Sequence, residues 1–282
     1  MSWEGVHTAL ITPFADDRLD LDAWESLLAR QVRARVAGVV VAGTTGEAPT
    51  LDDEERDQLL VEALGVVGTS VRVTMGVGTN ATKSTVANVV KAQALGAHAG
   101  LLVLPYYNKP NLDGLRAHVR AACAPGLPIV LYHVPGRTAQ RLNPTELAVL
   151  AEVEGIVAVK EATGDVTYGQ DFMLRSAKPV LSGDDFTWMP LLAVGGAGVI
   201  SVLSNVAPRL MVAIWEAWQR GDVAGAHREH RSLYPVIRYL FAETNPIPVK
   251  MMLADMGLCR NELRLPLARG TPPDESLLPD LA

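Results

Sequence analysis

Cysteine is nearly missing from this chain. Cys123 and Cys259 are the only two in 282 residues, too few for a disulfide framework or a structural zinc site. No apolar run approaches the ~20 residues that span a bilayer, so no membrane partner is expected. The opening Met1-Ser2-Trp3-Glu4-Gly5 has neither the basic nor the apolar stretch of a secretory signal, and the expected compartment is the cytoplasm. An excess of positive charge is also missing. The net charge of -6 leaves no basic face for nucleic acid or an anionic membrane. It does not exclude a small anion, because a local pocket can still be positive. No linker, low-complexity tract or short internal repeat interrupts the sequence.

What is present is ample apolar material, 49% of residues against 20% charged, which supports a buried core and excludes disorder. Length alone allows one large α/β domain or two ordinary ones. Short apolar runs at 6–12, 38–42, 71–77, 100–104, 129–132, 156–160, 180–182 and 199–202 read as strands. Between them, segments such as 21–35, 52–67, 81–95 and 144–152 carry apolar residues at three- and four-residue intervals, as a helix packed on a sheet requires. Thr50, followed by Asp52, Asp53 and Glu54, marks a helix start, and Asn143-Pro144 reads as N-cap and first helical residue. Gly96 and Gly221 stand where helices should stop.

The strand runs are almost wholly apolar rather than alternating, which fits parallel strands covered on both faces. Eight such βα units predict a (β/α)8 TIM barrel over residues 1–220, with a C-terminal helical extension over 221–282. A doubly wound open sheet is the alternative.

Active sites of such barrels form at the C-terminal strand ends, and the unusual polar residues of this chain follow the strand runs. They are Gly43-Thr44-Thr45-Gly46-Glu47, Pro105-Tyr106-Tyr107-Asn108, Tyr132-His133-Val134-Pro135-Gly136-Arg137, Lys160-Glu161-Ala162-Thr163-Gly164 and Ser182-Gly183-Asp184-Asp185. Lys160 is the sharpest signal. The chain has six lysines, and Lys83, Lys91, Lys109 and Lys178 lie in polar or loop-like surroundings. Lys160 closes the apolar run Gly155-Ile156-Val157-Ala158-Val159, so its stem should begin inside the barrel. Desolvation lowers a lysine pKa from about 10.4 toward roughly 7–8, and the neutral amine can attack a keto carbonyl. The same position also suits a lysine that snorkels to solvent or pairs with Glu161.

The small residues of 43–46 would let a carboxylate approach backbone N–H groups, ahead of a helix whose N-terminus favours anions. As a pentapeptide it fits an ordinary βα turn equally well. Tyr132 could move protons or simply pack, and Arg137 could grip a second carboxylate or stay solvated. Tyr106 and Tyr107, in a Pro- and Asn-flanked loop, suit a subunit contact. Other signals are weaker. Gly76-Val77-Gly78-Thr79-Asn80-Ala81 resembles a dinucleotide fingerprint, but the next strand run ends without the acidic ribose partner. His227 and His230 have no evident third metal ligand, and Asp16, Asp17, Asp20 and Asp22 do not match a calcium loop.

Taken together, the motifs at 43–47, 132–137 and 160–164 resemble the dihydrodipicolinate synthase / N-acetylneuraminate lyase family. Ser182-Gly183-Asp184-Asp185, Gly198-Val199-Ile200-Ser201-Val202, Asn245-Pro246-Ile247-Pro248-Val249-Lys250 and Leu265-Pro266-Leu267 extend the likeness over almost the whole chain. The resemblance implies a Schiff-base lyase in which Lys160 captures pyruvate. It implies that Tyr132 shuttles protons, with Thr44 and Tyr107 as relay partners and Tyr107 supplied by a neighbouring subunit of a homotetramer, a dimer of dimers. Thr45, Gly183 and Ile200 would contact pyruvate, and Arg137 would receive the carboxylate of the second substrate.

The tyrosine pair and Arg137 resemble the synthase branch, which condenses pyruvate with L-aspartate 4-semialdehyde in lysine and diaminopimelate biosynthesis. No metal or organic cofactor is implied. Two alternatives stand beside this reading: a pyruvate-dependent aldolase or dehydratase acting on a sugar-derived keto acid, and a silent paralogue that binds a keto acid. His133 departs from the asparagine expected after the tyrosine. Asn80 and Tyr106 match effector contacts of lysine-inhibited relatives, whereas Asp53, Arg56 and Ser84 replace the histidines and glutamate often found there. Weak or absent feedback by lysine is therefore expected.

Overall fold

The computed structural model describes residues 3–277. Among them, eight parallel strands close a barrel: β1 (Gly5–Ala9), β2 (Gly38–Val41), β3 (Arg72–Gly76), β4 (Ala99–Val103), β5 (Ile129–His133), β6 (Ile156–Glu161), β7 (Val180–Ser182) and β8 (Gly198–Ser201). Their order around the barrel is β1-β8-β7-β6-β5-β4-β3-β2, each strand beside its neighbour in sequence. The closed form agrees with the expected architecture and removes the open-sheet alternative. Every strand predicted from its apolar run is present, with ends moved by up to three residues. The cause of the near-continuous apolar runs is visible in β2 and β5, which are buried at every position, as strands covered on both faces must be. Each valine or leucine so buried contributes about 1.5–3 kcal/mol.

Contacts group the chain into two compact units, Met1–Glu4 with Thr74–Ile200 and Gly5–Val73 with Ser201–Ala282. In the first, β5 and β6 pair with Tyr132 opposite Lys160 and His133 opposite Glu161. Alternation along a strand sends Tyr132 and Lys160 to one face and His133 and Glu161 to the other. The latter pair faces the helix Val166–Met173: the His133 ring stacks on Tyr168 at 5.4 Å, and Glu161 lies beside Gly169. The helix Pro144–Ala151 starts as predicted, with a capping box between Asn143 and Glu146. Gly96 ends the preceding Thr82–Ala94 helix region at φ +96, where glycine carries no Cβ penalty. The dinucleotide-like Gly78 has a packing reason instead: a Cβ there would fall 2.5 Å from the Val103 backbone nitrogen.

In the second unit, β1 pairs with β2 through His7 and Gly38, Thr8 and Val39, and Ala9 and Val40. Asn205 bolts the segment after β8 to β1, donating to Ala9 O at 2.7 Å and accepting from Ile11 N at 3.2 Å. One local expectation is corrected here. The helix Asp53–Val67 is capped by Asp52, not Thr50, in a capping box with Glu55. The acidic residues 16 and 17 form the tip of a hairpin between Phe14–Ala15 and Arg18–Leu19, with φ of 54° and 61°. Asp tolerates that left-handed region better than most residues. Asp20 then caps the helix Leu21–Ala34 by accepting from Ala23 N at 3.1 Å. After β8 the described residues add the helices Pro208–Gln219, Val223–Ser232, Tyr234–Leu240 and Ile247–Asp255.

Candidate active site

Lys160 is the fifth of six residues in β6 and retains only 6% of its exposure. Its Nζ lies 4.3 Å from the centroid of the Tyr132 ring, whose residue is likewise 6% exposed. Burial pulls the Lys160 pKa down to about 8; the charge of Asp185 resists the fall, Arg137 assists it and Asp184 resists. About a tenth of the amine is then unprotonated at pH 7, far more than for an exposed lysine, and nucleophilic attack on a carbonyl requires that neutral form. The alternative pairing with Glu161 does not occur. That carboxylate accepts from Thr163 N at 2.6 Å on the opposite strand face, and burial raises its pKa.

The neighbouring strand ends shape the space around this amine. Gly183 follows β7, and a Cβ at that position would come within 3.1 Å of Lys160 Cε and 2.6 Å of Ala162 Cβ. The lysine stem therefore needs glycine here. Asp184 accepts from Phe186 N at 2.7 Å, and Ser182 Oγ donates to its carbonyl at 2.7 Å. Burial lifts the Asp184 pKa, with Lys160 among the influences that lower it. Asp185 is fully buried. The sequence marked this acidic pair only as part of a motif; its electrostatic role toward Lys160 was missed. Ile200 is 1% exposed in β8. Arg137 sits on the short helix Pro135–Thr138 with an exposed side chain.

His133 is directed away from Lys160 by the strand alternation. Its Nε2 accepts from Leu142 N at 3.3 Å, while Tyr168 Oη donates to Leu142 O at 2.9 Å. Burial and Arg141 lower the His133 pKa to about 4, so the ring is neutral near pH 7. The departure from asparagine thus serves packing behind the strand rather than the Lys160 face.

In the other unit, Thr44 and Thr45 occupy the turn after β2. Thr44 is half-buried and its carbonyl accepts from Glu47 N; Thr45 is buried and its Oγ1 accepts from Asn245 Nδ2 at 2.9 Å. The expected anion-favouring helix does not follow directly. The turn enters a three-residue 3-10 segment, Ala48–Thr50, and the next helix begins with Asp53, Glu54 and Glu55, which already complement its dipole. The turn is held from below. Glu47 Oε1 accepts from Lys250 Nζ at 2.5 Å and Glu47 Oε2 from Arg264 N at 3.0 Å, while Lys250 also donates to Glu262 O at 2.6 Å. Asn245, Glu47 and Lys250 escaped the sequence reading as site residues, although the motif containing Asn245 and Lys250 was noticed.

The loop after β4 carries the remaining predicted positions. Tyr107 is 88% exposed with φ 73°, and Tyr106 is 37% exposed. Asn108 links the two candidate effector residues: its side chain donates to Asn80 O at 2.8 Å, and its backbone N–H to Tyr106 O at 2.9 Å.

These features accompany a broad likeness to known proteins. Residues 2–276 match the Dihydrodipicolinate synthetase family. The chain is 43% identical over 268 residues to 4-hydroxy-tetrahydrodipicolinate synthase of Thermodesulfovibrio yellowstonii, covering 94% of this chain and 92% of that protein. It superimposes on the crystal structure of dihydrodipicolinate synthase from Thermotoga maritima with a TM-score of 0.93, at 40% identity and covering 99% and 96% of the two chains. A TM-score of 0.91 at 38% identity, over 97% and 94%, relates it to the chloride-inhibited dihydrodipicolinate synthase of Acinetobacter baumannii complexed with pyruvate. The amine on β6, the tyrosine opposite it and the glycine that clears its stem therefore stand in a chain that belongs to the dihydrodipicolinate synthetase family.

Proposed function

We propose that this chain condenses pyruvate with L-aspartate 4-semialdehyde, giving 4-hydroxy-tetrahydrodipicolinate and water. The observation that carries the reading is the Lys160 amine, 6% exposed against the Tyr132 ring with its pKa near 8. The Nζ lone pair attacks the keto carbon of pyruvate, and loss of water gives the imine. A proton leaves the methyl carbon, and the resulting enamine attacks the aldehyde carbon of the second substrate. The amino group of that substrate then attacks the imine carbon, closing the ring and returning Lys160. The protonated imine is itself the electron sink, so the chemistry needs no organic cofactor.

Tyr132, which lies opposite Lys160 on the paired strand, is the proposed proton carrier, with Thr44 and Tyr107 as its proposed relay. Thr45, Gly183 and Ile200 hold pyruvate, and Arg137 receives the second carboxylate. An exposed tyrosine held at positive φ suits a role completed in an assembly, and a dimer of dimers is the proposed unit. The loss of turnover without loss of fold in Tyr107→Phe, alongside sedimentation of the native protein, tests this; a fully active monomer contradicts it. Among the described residues no helix is long and apolar enough to cross a membrane; the cytoplasm is the proposed place of action. Asn80 and Tyr106 are the proposed effector contacts. Because Asp53, Arg56 and Ser84 stand where lysine-inhibited relatives often carry histidines and a glutamate, lysine feedback is expected to be weak, and half-inhibition at submillimolar lysine would overturn that expectation.

The deciding experiment is a coupled assay of pyruvate acceptors. Aspartate semialdehyde should be turned over far faster than N-acetylmannosamine or small hydroxyaldehydes, and Arg137→Ala should weaken its use. A preference for a sugar aldehyde, or an unaffected Arg137→Ala enzyme, contradicts the assignment.

A further inference from the structure

A threonine hydroxyl offers one proton and two acceptor sites. Thr45 Oγ1 spends an acceptor site on Asn245 Nδ2 at 2.9 Å, and Thr45 is only 3% exposed. Among the described residues no acceptor takes its proton. A buried O–H that lacks an acceptor is unusual in a folded protein and points to one arriving from outside. Asn245 stands 200 residues away in sequence, at the entry to the helix Ile247–Asp255. The same helix carries Lys250, whose ammonium group grips Glu47, two residues beyond Thr45. The short stretch 245–250 thus holds both the Glu47 side chain at the end of the turn and the direction in which its threonine can donate.

We infer that Asn245 is a positioning residue: by donating to Thr45 Oγ1 it commits the Thr45 proton outward, toward the carboxylate of the keto acid. The inference rests on the proposed use of pyruvate and adds to it the residue that sets the polarity of the carboxylate contact. Two neighbours acting only as spacers would tolerate a change of donor to acceptor. Here that change should matter most. In Asn245→Asp the carboxylate would draw the Thr45 proton to itself and face the substrate carboxylate with like charge. In Asn245→Ala the hydroxyl is merely freed to rotate.

The test is steady-state kinetics together with borohydride trapping across a range of pyruvate concentrations. A charge-assisted hydrogen bond lost or misdirected should raise the pyruvate KM by about 10- to 100-fold. Asn245→Asp should show the larger rise. Turnover at saturating pyruvate, the aldehyde KM and the melting profile should stay near wild type. In a Thr45→Val background, where the proton is already gone, Asn245→Ala should add almost nothing. An unchanged pyruvate KM, equal losses in both substrates' KM values, or full additivity with Thr45→Val would overturn the inference. Should Asn245→Ala fail to fold, Asn245→Asp decides by the same split between KM and kcat. If wild-type protein gains no pyruvyl adduct at all, it is the functional reading that fails. If it gains one with the same half-saturation in every Asn245 variant, only the inference fails.

Discussion

Lys160 and Lys250 are both withdrawn from solvent, 6% and 0% exposed, and burial lowers the pKa of each. Their surroundings then part ways. Lys250 reaches the Glu47 carboxylate and the Glu262 carbonyl and lies over the Phe14 ring at 4.1 Å. Its charge is matched by a carboxylate and its donors are largely spent, so it fastens a turn. Lys160 rests against the Tyr132 ring, with Asp184 and Asp185 favouring its charged form and Arg137 opposing it. No comparable carboxylate contact neutralises the cost of burial, and the amine holds its proton less tightly, with a pKa of about 8. Two lysines buried to a similar degree are thus divided by the acceptors within reach. One is a structural cation, and the other is the proposed nucleophile.

The comparison breaks most sharply at Lys160. Lys160→Ala should lower turnover by at least about 10³-fold while leaving the melting profile intact, as expected when a covalent catalyst is removed. Lys250→Met should do the reverse. Removing one partner of a buried pair leaves Glu47 uncompensated and costs about 3–5 kcal/mol, readable by urea unfolding. Adding Glu47→Gln should recover part of that loss. If Lys250→Met unfolds no more easily than wild type, the pair is not the fastening described.

Tyr132→Phe sharpens the division between capture and proton transfer. Turnover should fall by about 10²- to 10⁴-fold, yet mass spectrometry after borohydride should still find the pyruvyl adduct. Loss of the adduct would mean that the tyrosine is needed for capture itself. The smallest effect concerns pH. The rate of imine formation should rise through pH 8 and level off above it, because only the unprotonated Lys160 attacks. Asp185→Asn should move that midpoint downward, since Asp185 holds the pKa up. Folding is linked to the same group. Between pH 8 and 10.5 the unfolded lysine keeps a proton that the folded one has released, so stability should rise with pH across that window.

The comparison also explains what could be read from the sequence. The eight strands were legible because buried parallel strands leave unbroken apolar runs, and Lys160 because it ends such a run. Lys250 was visible only as the end of a motif, with no role attached; its partner Glu47 lies 203 positions earlier. Asn245 was hidden for the same reason. Long-range pairing, not local pattern, defines both. Asp16 and Asp17, which do not match a calcium loop, take up the positive φ of a hairpin tip, a use no local pattern assigned. Thr50 was a plausible cap displaced by Asp52, which gains a reciprocal bond from Glu55.

The central claim is tested most directly by treating the wild-type protein with pyruvate and borohydride and mapping the modified peptide. The account predicts one stable pyruvyl adduct, on Lys160, with Lys250 untouched. An unmodified Lys160, or an adduct on Lys250, would contradict it.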